Sequence, residues 1–322
     1  MSKKKATEKQ KSANNNVTAQ NDTTETVKIE AVMPETSQEA TQTEASEIVD
    51  ELAATPKRQR IWEVDFLRGL MILFVVWDHL MWDLVAFRPY KTEFFTAVYN
   101  FALNYEGGAL RAATHEAFIT LFIFTSGISC SFSRSNGKRA IKMMIFALLF
   151  TAVTYAVQTI VNEKLAIYFN VIHVIALSVA LWTIIEWAWS KCQKAWQKNV
   201  FGVVMTAVIL TALVVGSVAN TPKGAWTNQN PMWYFLARHK ELNVFSEGGD
   251  FWPFLPDFGW FLIGAFLGRF LYRERKSLFP SVNPKWVSPI TFCGRYSIWI
   301  YFGSQVVMYG VLYLLTSVAG VL

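Results

Sequence analysis

Arg68, His79 and Asp83 lie within the apolar run FLRGLMILFVVWDHLMWDLVAF, Phe66 to Phe87, which is long enough to cross a membrane and yet carries ionisable groups that a mere anchor would avoid. Eleven residues at about 100° each come to roughly three turns, so Arg68 and His79 share one helix face about 16 Å apart along the axis. Asp83, four residues beyond His79, falls on the same face, and Ile72, Val75 and Val76 complete the stripe. The chemistry this suits is proton transfer: a histidine with an unperturbed pKa near 6.5 as general base, and a carboxylate one turn away to orient it. Arg68 suits phosphate recognition by its planar guanidinium. The plainer readings are a hydrogen bond between helices for His79 and a snorkelling side chain paired with Asp65 for Arg68.

Further candidates lie where they could reach His79. His115 opens a second apolar segment beside Glu116, and His173 lies in YFNVIHVIALS, where polar contact between helices is an equal alternative. Asp250 and Asp257 flank FWPFLP and could accept hydrogen bonds from a hydroxylated or amino substrate, although Asp257 also reads as a helix cap. The surrounding loop, about 220 to 256, is rich in Trp and Asn, a composition that suits sugar rings and equally an interfacial aromatic belt.

The elements that must carry these residues are membrane helices. The 322-residue chain is 52% hydrophobic with thirteen Trp, which points to a multi-spanning protein rather than a soluble domain. Apolar runs fall at about 64 to 87, 112 to 132, 140 to 160, 166 to 189, 200 to 219, 257 to 272 and 296 to 318. The expected fold is therefore an all-α, polytopic bundle of about seven transmembrane helices, the sixth of them short. FFTAVYNFALNY, residues 94 to 105, is too short to span and reads as interfacial or re-entrant. Residues 1–58, poor in large apolar side chains, are expected to be a disordered cytoplasmic tail, and residues 59–322 the transmembrane domain.

Lys and Arg cluster before the first run and after the second, fourth and sixth, for example Arg58 and Arg60, Lys138 and Arg139, Lys191 and Lys194, Arg273 and Arg275. The alternate connections carry Glu106, Glu163, Glu241 and Glu247, so the N-terminus is expected inside and the chain in the cell membrane. The charge of +6 follows from this placement beside spans and calls for no nucleic-acid partner. Cys130, Cys192 and Cys293 lack metal-site or CxxC spacing, and no metal is expected. No P-loop, GxSxG, HExxH or dinucleotide glycine pattern occurs in a suitable context.

Five blocks carry a resemblance, in order: RIWEVDFLRGLMILFVVWDHLMWDL, FIFTSGISCSFSRSNGKRAIKMMIFALLFTAVTY, VIHVIALS, DFWPFLPDFGWFLIGAFLGRFLY and GRYSIWIYFGSQ. Together they resemble the catalytic domain of the heparan-alpha-glucosaminide N-acetyltransferase family in its short bacterial form, over nearly everything after residue 58. The arginine, ten residues and histidine of the first span are also similar to the wider membrane sugar acyltransferases. The resemblance implies acetyl transfer from cytoplasmic acetyl-CoA to an amine or hydroxyl of an extracytoplasmic sugar or glycan. It makes Arg68 and Arg139 the residues toward acetyl-CoA. His79 with Asp83 becomes the catalytic pair, as general base or as a nucleophile forming an acetyl-imidazole. His115, His173, Asp250, Asp257 and Gln305 become the substrate side. Where the family often has histidine before glutamine near its end, this chain has Ser304 before Gln305. The histidine of the family's lysosomal members in their first lumenal loop has no matching counterpart here: His115 is near in order, but its spacing to Ser126 and Gly127 differs. The expected partners are the lipid bilayer, acetyl-CoA and the acceptor, with homo-oligomer formation left open. The alternative is a transporter or exporter of a small polar molecule, using the charged stripe as its path.

Overall fold

The computed structural model describes residues 61–87, 91–161, 166–219, 236 and 251–317. The expected tail and Asp250 lie outside the described residues. The helices are α1 (Trp62–Ala86), α2 (Glu93–Glu106), α3 (Ala109–Ile128), α4 (Asn136–Val161), α5 (Val171–Lys191), α6 (Ala195–Ala219), α7 (Asp257–Leu271), α8 (Ser288–Arg295) and α9 (Ser297–Ser317). A 3₁₀ turn, Ser129–Phe132, extends α3. No strand occurs among the described residues.

Every apolar run of the sequence is a helix. Six, namely α1, α3 with its 3₁₀ turn, α4, α5, α6 and α9, are long and apolar enough to cross a membrane, and the chain is a multi-pass helical membrane protein. The sixth run is α7, whose 15 residues reach only roughly 22 Å at 1.5 Å per residue, short of a hydrocarbon core about 30 Å thick. Local chemistry sets the ends. Glu63 and Asp65 occupy the first turn of α1, where negative charge meets the positive end of the helix dipole. The Thr92 hydroxyl accepts from the Phe95 amide at 3.3 Å to start α2. Asn170 and His173 form a reciprocal capping box at the start of α5.

The core joins α3, α5 and α7. Ile123, Val174, Val179, Trp182, Phe261 and Leu262 are all buried within one cluster. Glycines let these helices touch backbone to backbone: a Cβ on Gly127 would overlap the Phe261 carbonyl oxygen, and one on Gly264 that of Phe124. The same device joins α1 to α8, where a Cβ on Gly69 would overlap the Ile290 carbonyl oxygen and one on Gly294 that of Asp65. This contact brings Arg295 beside the Arg68 end of α1. Facing outward are Ile145 and Leu148 on α4, Val203 and Leu210 on α6, and Trp299 and Val306 on α9, all exposed and all apolar. That reverses the pattern of soluble helices and suits hydrocarbon.

Polar side chains secure the connections. The Glu63 carboxylate accepts from the Ser277 hydroxyl at 3.0 Å and the Leu278 amide at 2.7 Å. Burial, together with that carboxylate, pushes the Tyr272 phenol up to about 12. Arg269 pairs with Glu186 and lies 5.1 Å over the Trp182 ring.

Candidate active site

A cavity of about 450 Å³ is lined by α1, α2, α3, α4, α5, α8 and α9, and it follows α1 along much of its length. Its lining changes in character from one end to the other. Arg68, Arg139 and Arg295 line one end with Ser129, Ser133 and Ser297. Asp78, His79, Tyr105, His115 and Tyr301 line the other, and Phe74, Val75, Phe118, Ile119 and Phe122 lie between. Ten residues of α1 separate Arg68 from Asp78, about 15 Å.

The arginine end is a cationic pocket with unspent donors. An Arg68 Nη2 donates to Ser297 Oγ at 3.2 Å, and the guanidinium lies 5.9 Å over the Phe122 ring. Among the described residues its Nε is buried without a hydrogen-bond partner. Among the described residues Arg139 makes long contacts, 3.5 Å from Nη1 to Cys130 Sγ and 3.5 Å from Nη2 to the Ser126 carbonyl. Arg295 faces Asp65 at 3.5 Å. A buried donor without an acceptor costs about 1–3 kcal/mol, and an anionic group entering this end would supply the acceptor. These residues therefore fit the phosphates of a nucleotide-bearing substrate.

The opposite end is a charged network centred on Asp78. Its Oδ1 accepts from Arg111 Nε at 2.8 Å and from the Tyr105 hydroxyl at 3.3 Å. Its Oδ2 accepts from Arg111 Nη2 at 3.1 Å and lies 3.0 Å from His115 Nδ1. Arg111 Nε is also 3.2 Å from Glu106 Oε1. Burial raises the Glu106 carboxyl above its ordinary range although Arg111 opposes the shift, and burial followed by the Asp78 charge raises the Tyr105 phenol. Nδ1 is thus the His115 ring nitrogen that the Asp78 carboxylate engages. The His79 ring meets Tyr301 edge-on, with centroids 5.8 Å apart.

The residues singled out in the sequence are distributed as follows. Arg68, His79, Arg139 and His115 all line the cavity. Asp83 does not; it is 2% exposed and, among the described residues, its Oδ2 has no hydrogen-bond partner. Asp257 is outside the lining as well, accepting from Thr120 at 2.8 Å and from Trp252 Nε1 at 2.6 Å, while the Trp252 ring packs against His115 at 5.7 Å. His173 is buried in its capping box, with Nδ1 2.9 Å from Asn170 Oδ1 and Nε2 3.1 Å from the Thr151 hydroxyl. Gln305 lies off the cavity, its Nε2 buried without a partner among the described residues. Sequence reasoning passed over Asp78, Tyr105, Arg111, Arg295 and Tyr301. The signal for Asp78 was its place beside His79, and for Tyr105 its place in the aromatic segment before α3; Arg295 and Tyr301 fall within the block GRYSIWIYFGSQ, where no spacing singled them out.

The cavity thus joins an arginine-lined end to a charged network of Asp78, Arg111 and His115 within one helical bundle. A family model described as "Heparan-alpha-glucosaminide N-acetyltransferase, catalytic" matches residues 60–306, which span every lining residue of the cavity. Comparison with curated proteins and with solved structures finds no match.

Proposed function

Since this chain belongs to the heparan-alpha-glucosaminide N-acetyltransferase catalytic family, a family of membrane acetyltransferases, we propose that it moves an acetyl group from acetyl-CoA, bound at the arginine end, to an amine or hydroxyl of a sugar at the histidine end. The observation that carries this reading is the one cavity running from Arg68 to His115 along α1. Arg68, Arg139 and Arg295 hold the donor's phosphates, and the apolar middle receives its arm, so that the thioester reaches the second end.

At that end His115 is the general base. Asp78 fixes its tautomer and stabilises the imidazolium as it forms, the role given from the sequence to Asp83 for His79. The acceptor's nitrogen or oxygen forms the new bond to the acetyl carbonyl carbon as its proton passes to His115 Nε2. The carbon–sulfur bond then breaks, and the released thiolate takes up the proton. His79, next to Asp78 on α1, donates a hydrogen bond to the carbonyl oxygen as negative charge builds there. Tyr301 holds its ring edge-on. Arginine side inward and histidine side outward is the orientation supported by the positive connections, with the N-terminus in the cytoplasm of a cell-membrane protein.

The test uses purified protein in nanodiscs with acetyl-CoA and glucosamine, following thiol release and acetylated product. Wild-type protein is expected to form both in equal amount, with His115→Ala slowed about 100-fold or more, the lower end of what general-base catalysis contributes. Undiminished turnover by His115→Ala would remove the base assignment. A folded wild-type protein that does not bind acetyl-CoA would remove the acetyl-transfer reading.

A further inference from the structure

The reacting end of the cavity is polar, but its flank is aromatic. Phe74 of α1 and Phe118 of α3 both line the cavity, and their rings stack at 4.0 Å with planes 6° apart. Phe74 is 38% exposed. One turn on from each, Trp77 and Leu121 are 41% and 45% exposed and do not line the cavity. The Trp77 ring meets Phe101 and Tyr105 of α2 edge-on, at 6.4 and 6.2 Å, so exposed apolar surface outside the cavity lining begins within one helical turn of this ring pair.

Depth gives the pair its meaning. Phe74 is the central residue of the 25-residue α1, roughly 18 Å from either helix end and so near the middle of the hydrocarbon layer. Asp78 lies four residues on toward Ala86, about 6 Å along the axis. A charged cluster that binds polar groups thus stands one helical turn from this aromatic pair and the exposed apolar surface beside it. That arrangement complements an amphiphile: a polar head on the cluster, and a hydrocarbon chain leaving sideways.

We infer that Phe74 and Phe118 form a lateral gate and that the acceptor is a membrane amphiphile, a sugar headgroup on a hydrocarbon chain, which lies between α1 and α3 with its head at the Asp78–His115 pair. The identity of the headgroup rests on the acetyl-transfer reading; the position of the chain does not. By parting, the two rings let the chain pass without breaking a hydrogen bond or exposing backbone to lipid, because the flanking surfaces are apolar helix faces.

The experiment uses the full-length protein in phosphatidylcholine nanodiscs and dodecyl glucosaminide carrying a diazirine at the middle of its chain. After photolysis, adducts are mapped by peptide mass spectrometry. The expected result is adducts concentrated on 74–77 and 118–121, at least about tenfold over the lipid-facing residues Ile145 and Val203, a preference of about 1.4 kcal/mol over the general bilayer surface. Excess unmodified dodecyl glucosaminide should remove this enrichment, and dodecanol should not. Adducts spread evenly over α4, α6 and α9, or enrichment that dodecanol removes equally, would overturn the gate by showing ordinary solvation by lipid. Acetyl-CoA binding is measured on the same sample by calorimetry. Its absence, with the labelling enriched, would sink acetyl transfer while leaving the gate standing.

Discussion

Asp78 and Asp83 occupy the same helix five residues apart, and only one of them reaches the cavity. Taking Arg68 as the reference, Ile72, Val75, Asp78 and His79 lie at about +40°, −20°, −80° and +20° around the axis, whereas Asp83 lies at about +60° and farther along. The cavity takes the first set, and Arg111 and His115 arrive from α3 to meet Asp78. Asp78→Asn is expected to lower kcat more than it raises the acceptor KM, and to shift the pH–rate profile, because the base loses its orienting carboxylate. Asp83→Asn should leave that profile in place. An identical fall in kcat for the two would place both in the proton path. At the other end, Arg68→Ala should weaken acetyl-CoA binding about tenfold or more, given roughly 1.5–3 kcal/mol for a charge-assisted hydrogen bond, with kcat at saturation much less affected. Calorimetry on wild type and variant decides this.

At the scale of elements, α1 is the rail and the glycine contacts are its clamps. Gly69 and Gly294 let α8 lie directly against α1, which is how Arg295 comes to the same end as Arg68. Gly69→Leu is expected to push α8 away, cost about 1–3 kcal/mol or more in stability through overpacking, and weaken acetyl-CoA binding without altering the histidine end. Thermal unfolding in detergent, read beside calorimetry, separates the two effects. Helix α2 contributes through its last turn. Glu106 has a folded pKa above its ordinary value because of burial, so the folded state binds that proton more tightly than the unfolded chain. Its stabilising contribution is complete below the unfolded pKa and is lost as pH rises through the folded one. The Tm of wild type relative to Glu106→Gln should therefore fall as pH rises through the mildly acidic range. A constant difference would show that Arg111 cancels the burial.

For the molecule as a whole, the charge pattern makes a claim about direction. Cysteines introduced at Ser135 and Lys194, in the basic connections, should be shielded from a membrane-impermeant thiol reagent in intact cells, whereas one at Thr92 should react. The reverse pattern would invert the bundle and put the arginine end outside, away from cytoplasmic acetyl-CoA. Because the positive residues border the arginine end, acetyl-CoA affinity should also fall with ionic strength, less steeply for the buried Arg68 than for a surface site.

What the sequence by itself determined is what depends on neighbours along the chain. Seven apolar runs became helices because each satisfies its own backbone hydrogen bonds and needs little else. Arg68 and His79 both face the cavity because eleven residues return a helix to the same side. The family followed from blocks of residues in order, and its model covers residues 60–306. The tertiary structure decided what depends on residues distant in the chain. Asp78 has its role because Arg111 and His115 lie 33 and 37 positions away and meet it across a helix pair. His173 and Asp257, candidates for substrate by type and position, lie against Thr151 and Asn170, and against Thr120 and Trp252. No periodicity reports such pairings, because they depend on how the helices cross, and that is set by glycines that admit a neighbouring backbone and by the buried side chains of Phe261 and Trp182.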